Sequence, residues 1–490
     1  MKICMIIPPA PGDFKVPERI YGCSYNIYPQ PDLPLLYVAA ALEQKGHKVA
    51  YKDFISEEKK WKDLEEFIRN NKFDAYVFHT VLLSQKIDLQ TCRLVRKKDK
   101  DAHIVFFGPQ PTYFPKPFLF DERSYIIRGE PEESVQDLFD ELGKKNPDLS
   151  KILGLSYVDG GKKVHNKSFG IIKDINKVPF PARHLIGHVK HKFFNPKLGK
   201  RPMTVMLTSR GCPYRCYFCV PNSLSWAREL EWKKDHQGHK PPVGIRSAEN
   251  IIEEFKEIKK LGYKSISIID DMFLLGGKQR ILDICKGVAP LKMEFGILAR
   301  ADHTLDMDVL RALKKAGCQY IDLGVESFNE KILKYIRKDL DPKIVPKSIA
   351  NIRKAGMEPK INIMFGTCPL DTKEEIKKTI KKACELPVDY CMFSITTPFP
   401  GTEFEKVALE KGWVIKSRYN KMLKELDPSK SALISYPHLS SEDMERLTRM
   451  ANRRFYLRPK RVLRQLGRIR SFKDLLDTIK GGLQLIKGKN

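Results

Sequence analysis

Three segments of the chain repeat one design, a basic helix end, a glycine stop and an apolar strand: KKLGYKSISIID (259–270), KKAGCQYIDLGVES (314–327) and RKAGMEPKINIMFG (353–366). A glycine just past a helix end supplies the left-handed cap, and the apolar run after it reads as a strand. Each segment is therefore one turn of a repeating βα unit. TVMLTS (204–209) before them, MEFGILAR (293–300) between the first two and CMFSITTP (391–398) after them bring the number of strands to six. Six such units over residues 201–400 predict a partial (β/α)6 barrel of the TIM type, whose working groups lie on the loops at the C-terminal ends of the strands.

Residues 1–145 alternate differently. KICMII, KVAYKDF, DAYVFHTV, HIVFFG and SYIIRG are separated by helical stretches such as PLLYVAAALEQKGH, with Gly46 as its stop. This predicts an α/β domain with a doubly wound, Rossmann-like parallel sheet. Ligands of such sheets sit at the strand C-termini. Those ends carry Pro8 and Pro9, His79 and Thr80, Gly108 to Thr112, and Gly129 with Glu130. Residues 146–200 read as a hairpin (GLSYVDGGKKVHN) and a proline-punctuated connector (VPFPARHL). Residues 401–490 read as a basic helical region, with twelve Lys and Arg against two Asp from Ala451 onward. Within it Val462, Leu466, Ile469, Phe472, Leu476, Ile479, Leu483 and Ile486 recur at three- and four-residue steps, interrupted by Gly481 and Gly482. That face suits either packing on the barrel or lying on an anionic membrane and covering an apolar entrance.

With 42% apolar residues the chain has material for full cores, and its net charge of +28 favours an anionic partner: nucleic acid, phospholipid or a phosphorylated substrate. No apolar run reaches the roughly 18 residues that span a bilayer. MKICMIIPPAPGD lacks the h-region of a signal peptide, so a cytosolic location, with peripheral contact at the inner membrane surface, is expected. Eleven cysteines in such a chain stay reduced. Cys285, Cys318, Cys384 and Cys391, in apolar surroundings, are expected as core residues.

TSRGCPYRCYFCVPN (208–222) places Cys212, Cys216 and Cys219 directly after the first barrel strand. Three thiolates cannot close a structural zinc site, which needs four protein ligands. A fourth ligand from His184 or His236 is the weaker alternative. Cubane iron–sulfur clusters are held by thiolates, and three leave one iron open. The spacing, with Phe218 before the last cysteine, resembles the radical S-adenosylmethionine (SAM) superfamily. The resemblance implies a 4Fe–4S cluster whose open iron chelates SAM. Reductive cleavage then gives a 5′-deoxyadenosyl radical that takes hydrogen from an unactivated C–H, chemistry the cofactor carries and the protein orients. It places Asp270 and Asp271 at the SAM amino group, with a helix cap as the bland alternative. Arg300 falls at the SAM carboxylate, or in a surface ion pair. Glu326 and Ser327 fall near the ribose or carboxylate, and Gly366 where backbone approaches the adenine. TPFPGTEF (397–404) is a stretch common after the last strand in this group.

PLLYVAAALEQKGHKV, VFFGPQPTYFP and IIRGEPEES, followed by the barrel, resemble the cobalamin-binding-domain class of that superfamily over nearly the whole chain. The tail RRFYLRPKRVLRQL resembles members acting on porphyrins, hopanoids and other large apolar molecules. The resemblance implies cobalamin, with His79, Thr80, Gly108, Gln110, Thr112, Gly129 and Glu130 as candidate contacts. Two departures stand out. There is no Asp-x-His-x-x-Gly, so no histidine is assigned below the cobalt. Pro109 replaces a glycine common in relatives, and because proline fixes φ and removes a donor, the corrin is expected to be held differently or the domain to be a relic. His79, a lone histidine on an apolar strand, also reads as a core residue.

The expected function is radical C-methylation of a large hydrophobic, lipid-like substrate. The second reading is C–C bond formation or cyclisation of hydrocarbon chains without cobalamin. The third, tRNA modification, has only Cys4, Cys23 and Cys92 to offer where such enzymes bring three more cluster cysteines. An electron donor such as ferredoxin or flavodoxin is an expected partner; nucleic acid is not. No residue is assigned to hydrogen transfer.

Overall fold

The N-terminal apolar runs become strands, four of them buried on both faces as an interior parallel sheet demands, with the fifth, KVAYKD, at the edge and partly open. In the computed structural model, which describes residues 1–10, 16–22, 28–425, 431–459 and 461–462, they are β1 (Lys2–Ile7), β2 (Lys48–Asp53), β3 (Ala75–His79), β4 (His103–Phe107) and β5 (Ser124–Ile127). The chain divides into two compact units, residues 1–213 with 220–295, and residues 214–219 with those from 296 onward.

In the first unit β1 to β5 pair in parallel, in the order β2-β1-β3-β4-β5. Leu35, Val38 and Leu42 of the helix Leu33–Gln44 join Val135 and Leu138 of Glu132–Leu142 in the core on one face. Leu64 and Ile68 of Trp61–Asn70 join Cys92 and Val95 of Gln85–Lys98 in the core on the other. The doubly wound expectation holds, and the order reverses between β1 and β3, where such sheets take ligands. The sheet does not stop at residue 145. β6 (Leu155–Asp159) pairs antiparallel with β5, and β7 (Lys162–His165) with β6, so the hairpin read as part of a linker completes a seven-stranded sheet.

The same unit holds β8 (Met203–Met206), a short antiparallel ribbon of β9 (Ser209–Arg210) and β10 (Gly244–Ile245), and β11 (Ser265–Ile268), which pairs in parallel with β8. The division falls within β12 (Glu294–Ala299). The second unit contains β13 (Cys318–Glu326), β14 (Glu358–Phe365) and β15 (Tyr390–Ile395), adjacent and parallel in that order. All six strands expected after residue 200 are thus present, joined by helices. The repeated glycines Gly262, Gly317 and Gly356 take φ of +85°, +111° and +85°, the left-handed conformation their position after a helix requires.

Along β14, Ile361, Ile363 and Phe365 are buried while Lys360, Asn362 and Met364 are less so. Phe365 stacks on Phe393 of β15, which meets Phe455 of the helix Ser441–Tyr456 edge-on at 5.7 Å. One face of this sheet is therefore covered by helix, and its other face carries Asn362, Met364 and Met392. No helix among the described residues is long and apolar enough to cross a membrane. The amphipathic repeat from Leu466 onward lies outside the described residues.

Candidate active site: the cysteine loop and the sheet switch point

Cys212, Cys216 and Cys219 are half-buried. Cys4, Cys92, Cys285, Cys318, Cys368 and Cys391 are buried, and Cys384, expected in the core, is half-buried. Burial pushes the Cys285 and Cys368 thiols up to about 12 and about 11, so they are poor thiolates. The loop Tyr214–Cys219 is pinned at two tyrosines. Tyr214 donates to or accepts from His303 Nε2 at 2.7 Å, and its ring lies 3.7 Å below the Arg300 guanidinium. Tyr217 donates to Thr367 O, accepts Phe404 N–H at its own carbonyl and packs edge-on against Phe404 at 5.3 Å. Phe218 is half-buried, edge-on to Tyr217. The Cys219 N–H donates to Cys216 O at 3.2 Å, closing a turn between two thiols. Arg300 and Lys338 both interact electrostatically with Cys216. Tyr214, Tyr217 and Lys338 carried no signal in the sequence beyond the tyrosines' positions flanking Cys216.

Among the described residues no three His, Cys, Asp or Glu side chains are gathered closely enough to hold a metal. The donor set itself suits iron–sulfur chemistry, with three accessible thiols on one loop and two cations beside the middle one.

The residues assigned to SAM divide into two groups. Asp270 is fully buried and spent within the protein: it accepts from Thr208 N at 2.6 Å, from the Thr208 hydroxyl and from Ser209 Oγ at 3.0 Å. Asp271 accepts from Asn222 N at 2.7 Å and Nδ2 at 3.0 Å through Oδ1, while Oδ2 is buried without a partner among the described residues. Burial raises its carboxyl to about 6. A buried carboxylate oxygen lacking a donor fits an ammonium, so this position suits SAM. Arg300 is committed: it donates to Asp302, to Lys338 O at 2.6 Å and to Asp339 O at 3.1 Å. Glu326 is buried at φ +65°, beside an irregularity in the β13–β14 register, and pairs with Lys338 at 3.0 Å. For a non-glycine residue this is a strained conformation. Ser327 Oγ accepts from Asn329 N at 3.1 Å. Gly366 has a packing reason for lacking a side chain. A Cβ there would crowd Met444 Sδ and Ile434, so a side chain is excluded on that side whatever the backbone faces on its other side.

The cobalamin candidates cluster at the C-terminal ends of β3, β4 and β5. His79 is buried. Its Nδ1 lies 2.9 Å from both oxygens of Asp32, which caps the helix Leu33–Gln44, and its ring stacks on Phe107 at 5.0 Å. Its Nε2 is buried and has no hydrogen-bond partner among the described residues. A carboxylate that fixes one ring nitrogen leaves the other to serve a ligand. His79 is thus only half the satisfied core histidine that was the alternative. Thr80 donates to Asp88 at 2.8 Å, and Gln110 to Gln85 at 2.7 Å. Thr112 donates to Gly108 O and accepts from Gly129 N. Gly108 has φ +109°, and a Cβ there would lie 2.7 Å from Thr80 O and 2.9 Å from His79 Cδ2. Pro109 opens the short helix Pro109–Tyr113, where the N–H would have no intrahelical acceptor, so the substitution disturbs nothing locally. Glu130 is fully buried and paired with Arg210 and Arg228.

Beside Asp32, a small cleft of about 30 Å³ lined by Pro17, Glu18, Arg19, Gln30, Asp32 and Asp53 opens at the ends of β1 and β2. Arg19 Nε is buried there without an acceptor among the described residues. A corrinoid is fringed with amides that pair with such groups, so the switch-point residues fit it.

The Radical SAM superfamily model matches residues 206–368, and the B12 binding domain model residues 27–139. The chain is 29% identical over 472 residues, 95% of each chain, to an uncharacterized methyltransferase of Pyrococcus horikoshii. It is 24% identical over 387 residues to the hopanoid C-3 methylase of Methylococcus capsulatus, covering 76% of this chain and 67% of that one. The solved structure of the radical S-adenosylmethionine methyltransferase TsrM from Kitasatospora setae, with cobalamin and a 4Fe–4S cluster bound, matches with a TM-score of 0.64 at 15% identity, covering 84% of this chain and 78% of that one. At that identity the likeness is one of fold. The two matches imply a 4Fe–4S cluster with SAM for the one domain and cobalamin for the other. With the three-cysteine loop inside the first match and the switch-point residues inside the second, the chain carries a radical SAM domain and a B12-binding domain, the pairing that marks the cobalamin-binding-domain class of radical SAM enzymes.

Proposed function

We propose that this enzyme methylates an unactivated carbon of a large, mainly apolar, lipid-like molecule. When bound, the cluster, SAM and cobalamin supply radical initiation and the methyl group; the chain's own residues hold, orient and shield. Asp271 Oδ2 receives the SAM ammonium. In this reading Arg300 holds Tyr214, and with it the cysteine loop, rather than contacting SAM. Glu326, with Ser327 beside it, keeps Lys338 near Cys216. His79 Nε2, Gly108, Gln110 and Thr112 receive the corrinoid, while Thr80, Gly129 and Glu130 support that surface from within.

The observation that carries the substrate class is the face of β14 and β15 that bears Asn362, Met364 and Met392. Met392 is 48% exposed and lies across from Asn362, whose Oδ1 is buried without a partner among the described residues. Exposed methionines suit a bulky apolar body, and the amide oxygen calls for one donor on it, such as a hydroxyl. The hopanoid methylase among the relatives acts on a molecule of that kind. The basic, amphipathic tail suits delivery from an anionic membrane surface.

The test is product mass after incubation with SAM bearing a deuterated methyl group, cobalamin, reductant and a lipid extract. Methylation adds a labelled CH2 unit. Loss of two hydrogens without label favours coupling or cyclisation instead. Truncation before Val462 is expected to release the protein from phosphatidylglycerol vesicles, and unchanged binding refutes the membrane part.

A further inference from the structure

Cys212 hangs from a peptide gripped by a buried ion network. Arg210 NH1 donates to Glu130 at 2.8 Å and its NH2 to Glu132; both acids stand at the end of β5 and the start of the helix that follows it. Arg228, on the helix Ser223–Asp235 after the cysteine loop, donates through Nε to Glu130 at 3.3 Å and through NH1 to Arg210 O at 3.5 Å. All four side chains are nearly inaccessible, and their charges cancel. Gly211, at φ +92°, has room for no side chain larger than hydrogen without crowding Arg228 NH1, 3.2 Å from its absent Cβ, and its N–H donates to Ser225 Oγ at 2.9 Å. Glu130 Oε2 also accepts from Ile172 N at 2.8 Å. One carboxylate therefore holds both arginines, and both arginines belong to the backbone that presents Cys212.

We propose that Glu130 is a positioning residue for the cluster, acting through Arg210 and Arg228 to set the Arg210–Gly211 peptide and with it the first cysteine. A buried network of this kind is weak as a source of stability but serves well to define one arrangement. It also ties the turn at Gly129, beside the corrinoid candidates, to the strand that enters the cysteine loop, so cobalamin-side and cluster-side geometry share one support. The inference rests on Cys212 being a cluster ligand.

The experiment compares wild type, Glu130→Gln and Glu231→Gln, each reconstituted with iron and sulfide. Glu231 makes the matched control: on the same helix as Arg228 and with its stem against Gly129, it pairs with Arg128 at 2.9 Å, nearly as inaccessible as Glu130, so E231Q keeps these packing contacts and removes a carboxylate that bonds neither Arg210 nor the Gly211 peptide. The readouts are iron per chain, the EPR spectrum of the reduced cluster with and without SAM, and SAM cleavage. E130Q is expected to alter the EPR line shape and to lower kcat for SAM cleavage about 10- to 100-fold, as misplacement of a reacting group by about 1 Å does, with KM for SAM within about twofold. E231Q should keep the wild-type spectrum. The proposal is overturned if both variants keep it, or if both change it alike. If E130Q does not fold, Arg228→Lys, which keeps the charge but cannot bridge Glu130 and Arg210 O, is read by the same criteria. Wild-type protein that holds no cluster overturns the ligand reading beneath the proposal.

Discussion

Arg300 separates two accounts of the cysteine loop, and Arg300→Lys decides between them. If Arg300 binds the SAM carboxylate, a lysine keeps the charge, the cluster forms normally and KM for SAM rises. In the structure the guanidinium is almost fully buried and occupied: two backbone carbonyls, the Asp302 carboxylate and the Tyr214 ring all take part. A lysine reaches one of these acceptors but cannot fork or stack. Hydrogen bonds from a charged donor contribute about 1.5 kcal/mol or more each, and a partly desolvated cation–π contact about 1 kcal/mol. With one of the three bonds recovered by the ammonium, two bonds and the ring contact are lost, about 4 kcal/mol or roughly a thousandfold in the population of this arrangement. The substitution should therefore lower iron retention after gel filtration and broaden the cluster's EPR signal. SAM that does bind should do so with nearly normal affinity. Normal iron content together with a KM raised tenfold would refute the structural account and restore the SAM contact.

Three further outcomes follow from the geometry. Gly108→Ala forces a Cβ against Thr80 O and His79 at positive φ; about 2–4 kcal/mol of stability should be lost, seen as a lower Tm and low cobalamin occupancy by absorbance, and full occupancy at an unchanged Tm would refute it. His79→Gln removes the imidazole while the Leu35 N–H still satisfies Asp32, so cobalt per chain should fall with little change in far-UV circular dichroism; undiminished cobalt assigns His79 to the core. Because burial raises the Asp271 carboxyl to about 6, SAM affinity should fall about tenfold from pH 7 to pH 5 as the carboxylate protonates, and Asp271→Asn should flatten that profile in calorimetric titrations. The sign for stability is opposite: a raised carboxyl pKa favours the fold below the unfolded value and loses that contribution as pH rises through about 6, so weaker binding at low pH is not unfolding through this group.

The parts of the chain that were legible are those with a period or a fixed spacing. Strand and helix alternation follows from apolar runs and glycine stops, and the six strands after residue 200 stand where those marks place them. Cys-x3-Cys-x2-Cys was legible because cluster chemistry tolerates few other uses. The hairpin's membership in the N-terminal sheet was not, because a turn signal says which two strands pair and nothing of the edge they join. Nor was the use of Gly366, since a required glycine marks close approach without naming what approaches, and here it is Met444. The adjacent acids Asp270 and Asp271 show the limit most plainly. Sequence offers two neighbouring carboxylates at a strand end with the same charge and reach. In the loop after β11 the two meet different partners, so one is absorbed by Thr208 and Ser209 while the other keeps an oxygen unpaired. What distinguishes a structural acid from a candidate ligand is therefore which partners the loop brings to each, a fact that composition and spacing share out equally between them and only the fold resolves.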